Sequence, residues 1–170
     1  MTETWIYERT ADNSARFVLG TVGVNPLVCV GVNPSTAAPG DPDRTVSKVM
    51  GFAARNGFDS WVMLNLYPQR SIDPKGMHLV HDPQLQADNE RHIADLIGGR
   101  QLTIVAAWGE LIRSRPYLPQ MLEGIASVTD ASGCDWVSIG DLLKSGHPRH
   151  PSRARYAWPL QSFDVASYLA

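Results

Sequence analysis

The sequence predicts an α/β domain built on a central, mainly parallel sheet. Short apolar runs bounded by turn residues alternate with segments of helical periodicity, the pattern of strands joined by helical crossovers. A chain of 170 residues that is 44% hydrophobic and 19% charged is long enough for one well-packed core and short for two. No internal repeat or low-complexity linker divides it, so residues 1–170 read as a single domain.

The elements follow in order. At the N-terminus, TWIYER and ARFVLGTV suit an antiparallel hairpin at the sheet edge. LVCVGV (27–32) is the first strand of the parallel set. TVSKVMGFAARNG then places Val46, Val49, Met50, Ala53 and Ala54 at helical spacing, between a capping Asp43 and a closing Asn56-Gly57. WVMLNL (61–66) completes a βαβ unit. Asp82-Pro83 opens a second helix, with Leu85, Ile93, Leu96 and Ile97 as its apolar stripe and Asn89 on that stripe. TIVAAW (103–108) is a third strand. ELIRSRPYLPQMLEG is interrupted by Pro116 and Pro119 and reads as two short helical pieces. A fourth strand falls on IASVTD or DWVSIG. The stretch KSGHPRHPSRAR (144–155) is a loop, because its two prolines exclude a helix.

Several classes are excluded or disfavoured. No apolar run approaches the roughly 20 residues a membrane span needs. The segment MTETWIYERT has neither the basic start nor the apolar core of a signal peptide, so a cytoplasmic location is expected. A formal net charge of -2 gives no global attraction to nucleic acid, and any phosphate contact must come from a local basic patch. Cys29 and Cys134 lack metal-type spacing and read as buried free thiols. Two His-x-x-His pairs, at His78 to His81 and His147 to His150, have no acidic or Cys ligands in matching register, so neither metal nor cofactor is expected.

In parallel α/β sheets ligands bind beyond the carboxyl ends of the strands. Those ends carry Gly31-Val32-Asn33-Pro34-Ser35-Thr36, then Asn65-Leu66-Tyr67-Pro68, then Trp108-Gly109. Asn33 and Asn65 terminate otherwise apolar runs, where an unpaired amide costs about 1–3 kcal/mol, so both need partners from loop backbone or from a ligand. The loop 144–155 gathers Lys144, Arg149, Arg153 and Arg155 with His147 and His150 and contains no acid, which suits either solvent or an anionic partner. The glycine-rich phosphate loops and the Gly-x-Ser-x-Gly nucleophile elbow are missing, so Ser35 reads as a hydrogen-bonding residue rather than a nucleophile.

Taken in order, Gly31-Val32-Asn33-Pro34-Ser35, Val62-Met63-Leu64-Asn65, Ala106-Ala107-Trp108-Gly109 and His150-Pro151-Ser152 resemble the uracil-DNA glycosylase superfamily over residues 27–155. The segments NPSTA, DPDRT, NLYPQR, DNE, AAWG and KSGHPRHP more closely resemble the family called domain of unknown function 1643, whose name carries no activity. The superfamily resemblance implies a three-layer α/β/α fold and a pocket for a flipped-out base. It implies hydrolysis of the bond between sugar C1′ and base nitrogen, through a sugar cation and a base anion. Asn33 would orient the water and His150 would donate a hydrogen bond to the anion. Asn65 would read the base edge, with Gly31, Pro34, Ser35, Tyr67 and Ser152 completing the substrate site. Thr36, Lys144, Arg149 and Arg153 would meet phosphates.

Departures from the superfamily pattern shape the expectation. Asn33 stands where the fastest branch has Asp, and an amide positions water without polarising it as a carboxylate does. Ser35 replaces the aromatic guard against a methylated base, so selectivity for uracil over thymine is not implied. Arg153 replaces an apolar wedge, which turns attention to single-stranded nucleic acid or a free nucleotide. A catalytically silent binding module with the same base pocket is the alternative, and an unrelated hydrolase using the basic loop is a third.

Overall fold

The computed structural model describes residues 3–170. Seven strands form one mixed sheet: β1 (Trp5–Arg9), β2 (Arg16–Thr21), β3 (Pro26–Gly31), β4 (Ser60–Asn65), β5 (Thr103–Ala106), β6 (Asp135–Ile139) and β7 (Leu160–Ser162), in the order β1-β2-β4-β3-β5-β6-β7. The four central strands β4-β3-β5-β6 run parallel, β1 and β2 add an antiparallel hairpin at one edge, and β7 pairs antiparallel at the other. Every residue of β3 and β4 is buried, as strands covered on both faces must be.

Helices supply that cover. α1 (Arg44–Arg55) packs on one face, where Val46, Val49, Phe52 and Ala53 meet Leu27, Cys29, Trp61 and Met63. α2 (Pro83–Ile97) and α3 (Leu118–Ala131) cover the other, with Ile93, Ile97, Met121 and Ile125 against Val28, Val30, Leu64 and Ile104. A short α4 (Val165–Leu169) ends the chain. Asp43 caps α1, its Oδ1 accepting from the Val46 N–H at 2.8 Å. Asp82 caps α2, with Pro83 in the first turn, where a missing N–H is harmless.

The structure corrects four details. IASVTD belongs to α3, not to a strand, and the fourth parallel strand is DWVSI. The segment does form two pieces, a 3-10 turn at Gly109–Ser114 and then α3, but the second is a full 14-residue helix and Pro119 sits in its first turn, where it breaks no hydrogen bond. On α1, Phe52 is buried and Ala54 is exposed. Cys134 is only half-buried, its Sγ donating to the Arg100 carbonyl, whereas Cys29 is fully buried and its thiol is pushed up to about 12 by desolvation.

The chain passes from β3 through α1 to β4 on one side, then crosses back through α2 to β5 on the other. Loops leaving neighbouring strands therefore diverge at the carboxyl end of β3, and a crevice opens there.

Candidate active site

The crevice is a cavity of about 320 Å³ at the carboxyl ends of β3 and β4, on the α1 face. Gly31, Met63 and Asn65 form its base, the Asn33–Ser35 loop and the start of α1 its walls, and His150 reaches it from the loop after β6. Asn65, at 1% exposure, leaves both Nδ2 and Oδ1 without a hydrogen-bond partner. A buried amide with neither atom satisfied is rare in a native fold, and here it presents a donor and an acceptor side by side to the cavity. Its backbone is held from behind: Asn89 Nδ2 on α2 donates to the carbonyls of Asn65 at 2.9 Å and Leu66 at 3.3 Å. Asn89 on its apolar stripe is thus a brace for the strand end. Gly31 leaves the amide room, since a Cβ there would lie 2.8 Å from Met63 Cε and 3.1 Å from Asn65 Oδ1.

Asn33 differs from Asn65. Its Nδ2 donates to the carbonyls of Ser71 at 2.9 Å, Pro34 at 3.1 Å and Gln69 at 3.5 Å, which ties together two loops and fixes the amide's orientation. Oδ1 accepts no hydrogen bond among the described residues, so Asn33 offers the cavity an acceptor only.

His150 is defined down to its tautomer. Nδ1 accepts from the Ser152 N–H at 3.2 Å and pairs with Ser152 Oγ at 2.9 Å. An Nδ1 that accepts from a backbone N–H carries no proton, which places the proton on Nε2. Burial lowers the imidazole's pKa below its ordinary 6.5, opposed by the Asp43 carboxylate, and the neutral ring is the form at pH 7. Two cations of α1 anchor the loop: Arg44 Nε donates to the Ser152 carbonyl and Lys48 Nζ to the Ala154 carbonyl, each at 2.7 Å. Gly109, at φ +55°, sits where a Cβ would come within 3.4 Å of His150 Cβ, so the segment after β5 packs closely behind the histidine.

Besides Arg44, two further charged groups line the cavity: Arg16, which did not stand out in the sequence, and Asp43, which read there as the α1 cap. Arg16 at the start of β2 is 2% exposed; its Nη1 donates to the Ala37 carbonyl at 3.2 Å, and its Nε has no partner. Asp43 is the one acid among the lining residues, and its α1 cap occupies Oδ1. An Arg in a strand-like ARFVLG and an Asp before a helix both read as ordinary edge and cap residues. The burial of Arg16 within an otherwise apolar strand is the signal that singles it out.

With that geometry in hand, the family described as "Protein of unknown function (DUF1643)" matches residues 10–152. The chain belongs to this family. No curated protein and no solved structure matches it.

In this DUF1643 chain the remaining sequence-picked residues divide by location. Gly31, Pro34 and Ser35 line the cavity, while Thr36 faces an adjoining depression with Arg70 and Ile72. Arg149, Arg153 and Ser152 lie with Arg113 and Trp158 along a second, larger cavity of about 870 Å³, which shares His150 and Leu111 with the first. Lys144 is exposed and lines neither cavity. Tyr67 is placed elsewhere: β4 ends at Asn65, Leu66 and Tyr67 turn to bond the carbonyls of Gly31 and Val32, and the ring enters the core on the α2 and α3 face. Its hydroxyl accepts from the Asp82 N–H at 2.8 Å and meets His78 Nδ1 at 2.7 Å. Arg70 donates to the Ser35 carbonyl at 2.7 Å and to Tyr7 Oη at 2.8 Å, fastening the hairpin to the Asn33–Ser35 loop. Among the described residues no group of three or more His, Cys, Asp or Glu is placed to hold a metal, and no helix is long and apolar enough to cross a membrane.

Proposed function

We propose that this protein binds a nucleobase in the 320 Å³ cavity and hydrolyses the N-glycosidic bond that joins it to a sugar. The observation that carries the reading is Asn65, whose buried donor and acceptor match the paired acceptor and donor of a base edge. The bond between C1′ and the base nitrogen breaks with its electron pair passing to the base, and water adds to C1′, its proton passing through solvent to the departed base anion, so that a sugar hemiacetal and a neutral base result. The base leaves as an anion, and a donor aimed at its oxygen lowers the barrier most when fixed in advance. His150 Nε2–H is such a donor, neutral and held by Ser152 and α1. Asn33 Oδ1 orients the water by accepting a hydrogen bond from it. The likeness of these segments to the uracil-DNA glycosylase superfamily supports the reading, because Gly31–Ser35, Asn65 and His150 line one cavity and Gly109 packs against His150. Arg113, Arg149 and Arg153 along the adjoining cavity suit the phosphates of a strand leading to the base.

A specific observation favours a second reading, a binding module without turnover. The one acid lining the cavity is committed to the α1 cap, and Asn33 cannot take up a proton. One experiment separates the two. Labelled single- and double-stranded oligonucleotides carrying uracil, hypoxanthine, xanthine, hydroxymethyluracil or a mismatched thymine are incubated with protein and treated with alkali. Hydrolysis predicts strand breaks that fall about a hundredfold or more in His150→Ala. Saturable binding without breaks establishes the module instead, and neither breaks nor binding rejects the base pocket.

A further inference from the structure

Arg16 asks for something the protein does not supply. Its guanidinium is buried at the cavity wall, yet among the described residues no carboxylate lies within ion-pair distance of it. Nη1 spends its bond on the Ala37 carbonyl, Nε has no partner, and Nη2 makes no hydrogen bond among the described residues. Buried charges in native folds are paired, and an unpaired one is a strong penalty unless a ligand completes it.

The neighbourhood deepens the imbalance. Arg70 Nη1 donates to the same Ala37 carbonyl at 3.3 Å, so two guanidiniums converge on one neutral acceptor. Arg70 has its donors engaged by Ser35, Tyr7 and Asn13, and adds positive potential without competing for a ligand. Burial and Arg70 lower the Arg16 pKa to about 10 while Asp43 opposes them, which leaves the side chain charged at neutral pH. Asp43 already accepts from the Val46 N–H through Oδ1. The result is a small cavity with an amide that reads hydrogen bonds, Asn65, and a cation in search of an anion, Arg16.

We infer that the occupant of this cavity carries an oxyanion, a carboxylate or a phosphate, that pairs with Arg16. The inference rests on the reading of the cavity as a base pocket and narrows it: the occupant is an acidic base or a nucleotide rather than a neutral base. A cavity of about 320 Å³ lies at the small end of ligand sites, so base edge and anion belong to one compact molecule. The chemistry is shared by two sources, a carboxylate on the base and a 5′-phosphate on its sugar.

The test compares neutral and anionic partners on the full chain by calorimetry: 1-methyluracil against orotate, deoxyuridine against its 5′-monophosphate, deoxyinosine against its 5′-monophosphate, and inorganic phosphate alone. The expected result is that the anionic member of at least one pair binds about tenfold or more tightly than its neutral partner. Preference for orotate assigns the charge to the base, and preference for a monophosphate assigns it to the phosphate. That preference disappears in Arg16→Gln and survives in part in Arg16→Lys, which keeps the buried charge should the Gln variant fail to fold; the wild-type ratio needs no variant. Equal binding of neutral and anionic partners overturns the inference and leaves the base pocket standing. Phosphate binding that is lost in Arg16→Gln but indifferent to Asn65→Ala, with no base bound, upholds the oxyanion and rejects the base. Absence of all binding overturns both.

Discussion

Two asparagines stand at neighbouring strand ends, one just past β3 and one closing β4, and they use the same side chain differently. Asn33 follows β3 and spends its amide nitrogen on three loop carbonyls; Asn65 ends β4 and spends neither atom on anything. The first is chiefly scaffold, with one acceptor left over. The second is kept unsatisfied by a fold that braces its backbone through Asn89 and clears space beside it with Gly31. The same residue type at neighbouring strand ends is thus satisfied or left unsatisfied according to whether the surrounding loop can reach it.

The sharpest way to break this contrast is at Asn65. Asn65→Ala is expected to lower base binding or turnover by about a hundredfold or more, because it deletes the only paired donor and acceptor at the cavity base. The same change should leave the melting temperature of the unliganded protein unchanged or raised, since it removes two buried atoms that have no partner. Parallel loss of function and stability would place Asn65 with Asn33 as scaffold.

Asn33→Ala should behave in the opposite way. The Gln69, Ser71 and Pro34 carbonyls each lose a donor, although Pro34 keeps the Ser71 N–H, and the expected loss is about 1–3 kcal/mol. For a domain of this size each kcal/mol lowers Tm by roughly 2–4 °C, which a thermal melt resolves. An unchanged Tm would mean that the loop is held by its other ties, Arg70 to the Ser35 carbonyl and the Ser71 N–H to the Pro34 carbonyl.

These predictions bear on how much of the molecule was legible in its sequence. Strands β3, β4 and β5 were, because fully apolar runs flanked by turn residues have few other uses, and both helix caps were, because Asp followed by Pro or Arg-Thr announces an N-terminus. The extent of α3 was not: Pro119 looks like a breaker until its place in the first turn is known, and IASVTD has strand-like residues that packing holds in a helix. Asn33 and Asn65 were marked by their strand-end context, and His150 by its place in the basic loop and the His-Pro-Ser resemblance. Which of the two asparagines is satisfied depends on Ser71 and Gln69, more than 30 residues downstream of Asn33, and no local pattern encodes that. Tyr67 read as a neighbour of Asn65 two residues away, but the strand stops between them. Arg16 escaped notice because a lone Arg in a strand is ordinary on an edge and exceptional only once buried.

Acid supplies a gentler probe of the His150 side of the cavity. The folded protein holds this imidazole below its ordinary 6.5, so above 6.5 both folded and unfolded chains leave it neutral and its contribution to stability is whole. As pH falls below 6.5 the unfolded chain takes up the proton first, and stability declines until the folded value is passed. Protonating Nδ1 also breaks its acceptance from the Ser152 N–H. Melting curves from pH 7.5 downward should therefore show an acid-side slope that is shallower in His150→Gln, and an unchanged slope would mean that other groups set it.

The smallest expected effect tests whether Asn65 must be held in one place to work. Gly31→Ala puts a methyl group 3.1 Å from Asn65 Oδ1 and 2.8 Å from Met63 Cε. Met63 is flexible and can yield, and a carbonyl oxygen at that distance is tighter than ordinary van der Waals contact but displaced by only a few tenths of an ångström. No positive φ is involved at Gly31, so backbone strain does not contribute. Stability should drop by about 1 kcal/mol or less, in line with a modest overpacking. Ligand affinity should fall several-fold, because a hydrogen-bond pair aimed at a rigid base edge loses strength with small errors in direction. The same substitution removes no partner of Asn33 Nδ2, which donates to the carbonyls of Pro34, Gln69 and Ser71, so the stability that Asn33 confers should be additive with it in the double variant. Additivity with Asn33→Ala, together with a non-additive effect on binding when combined with Asn65→Ala, would separate the two strand ends energetically as they are separated in space.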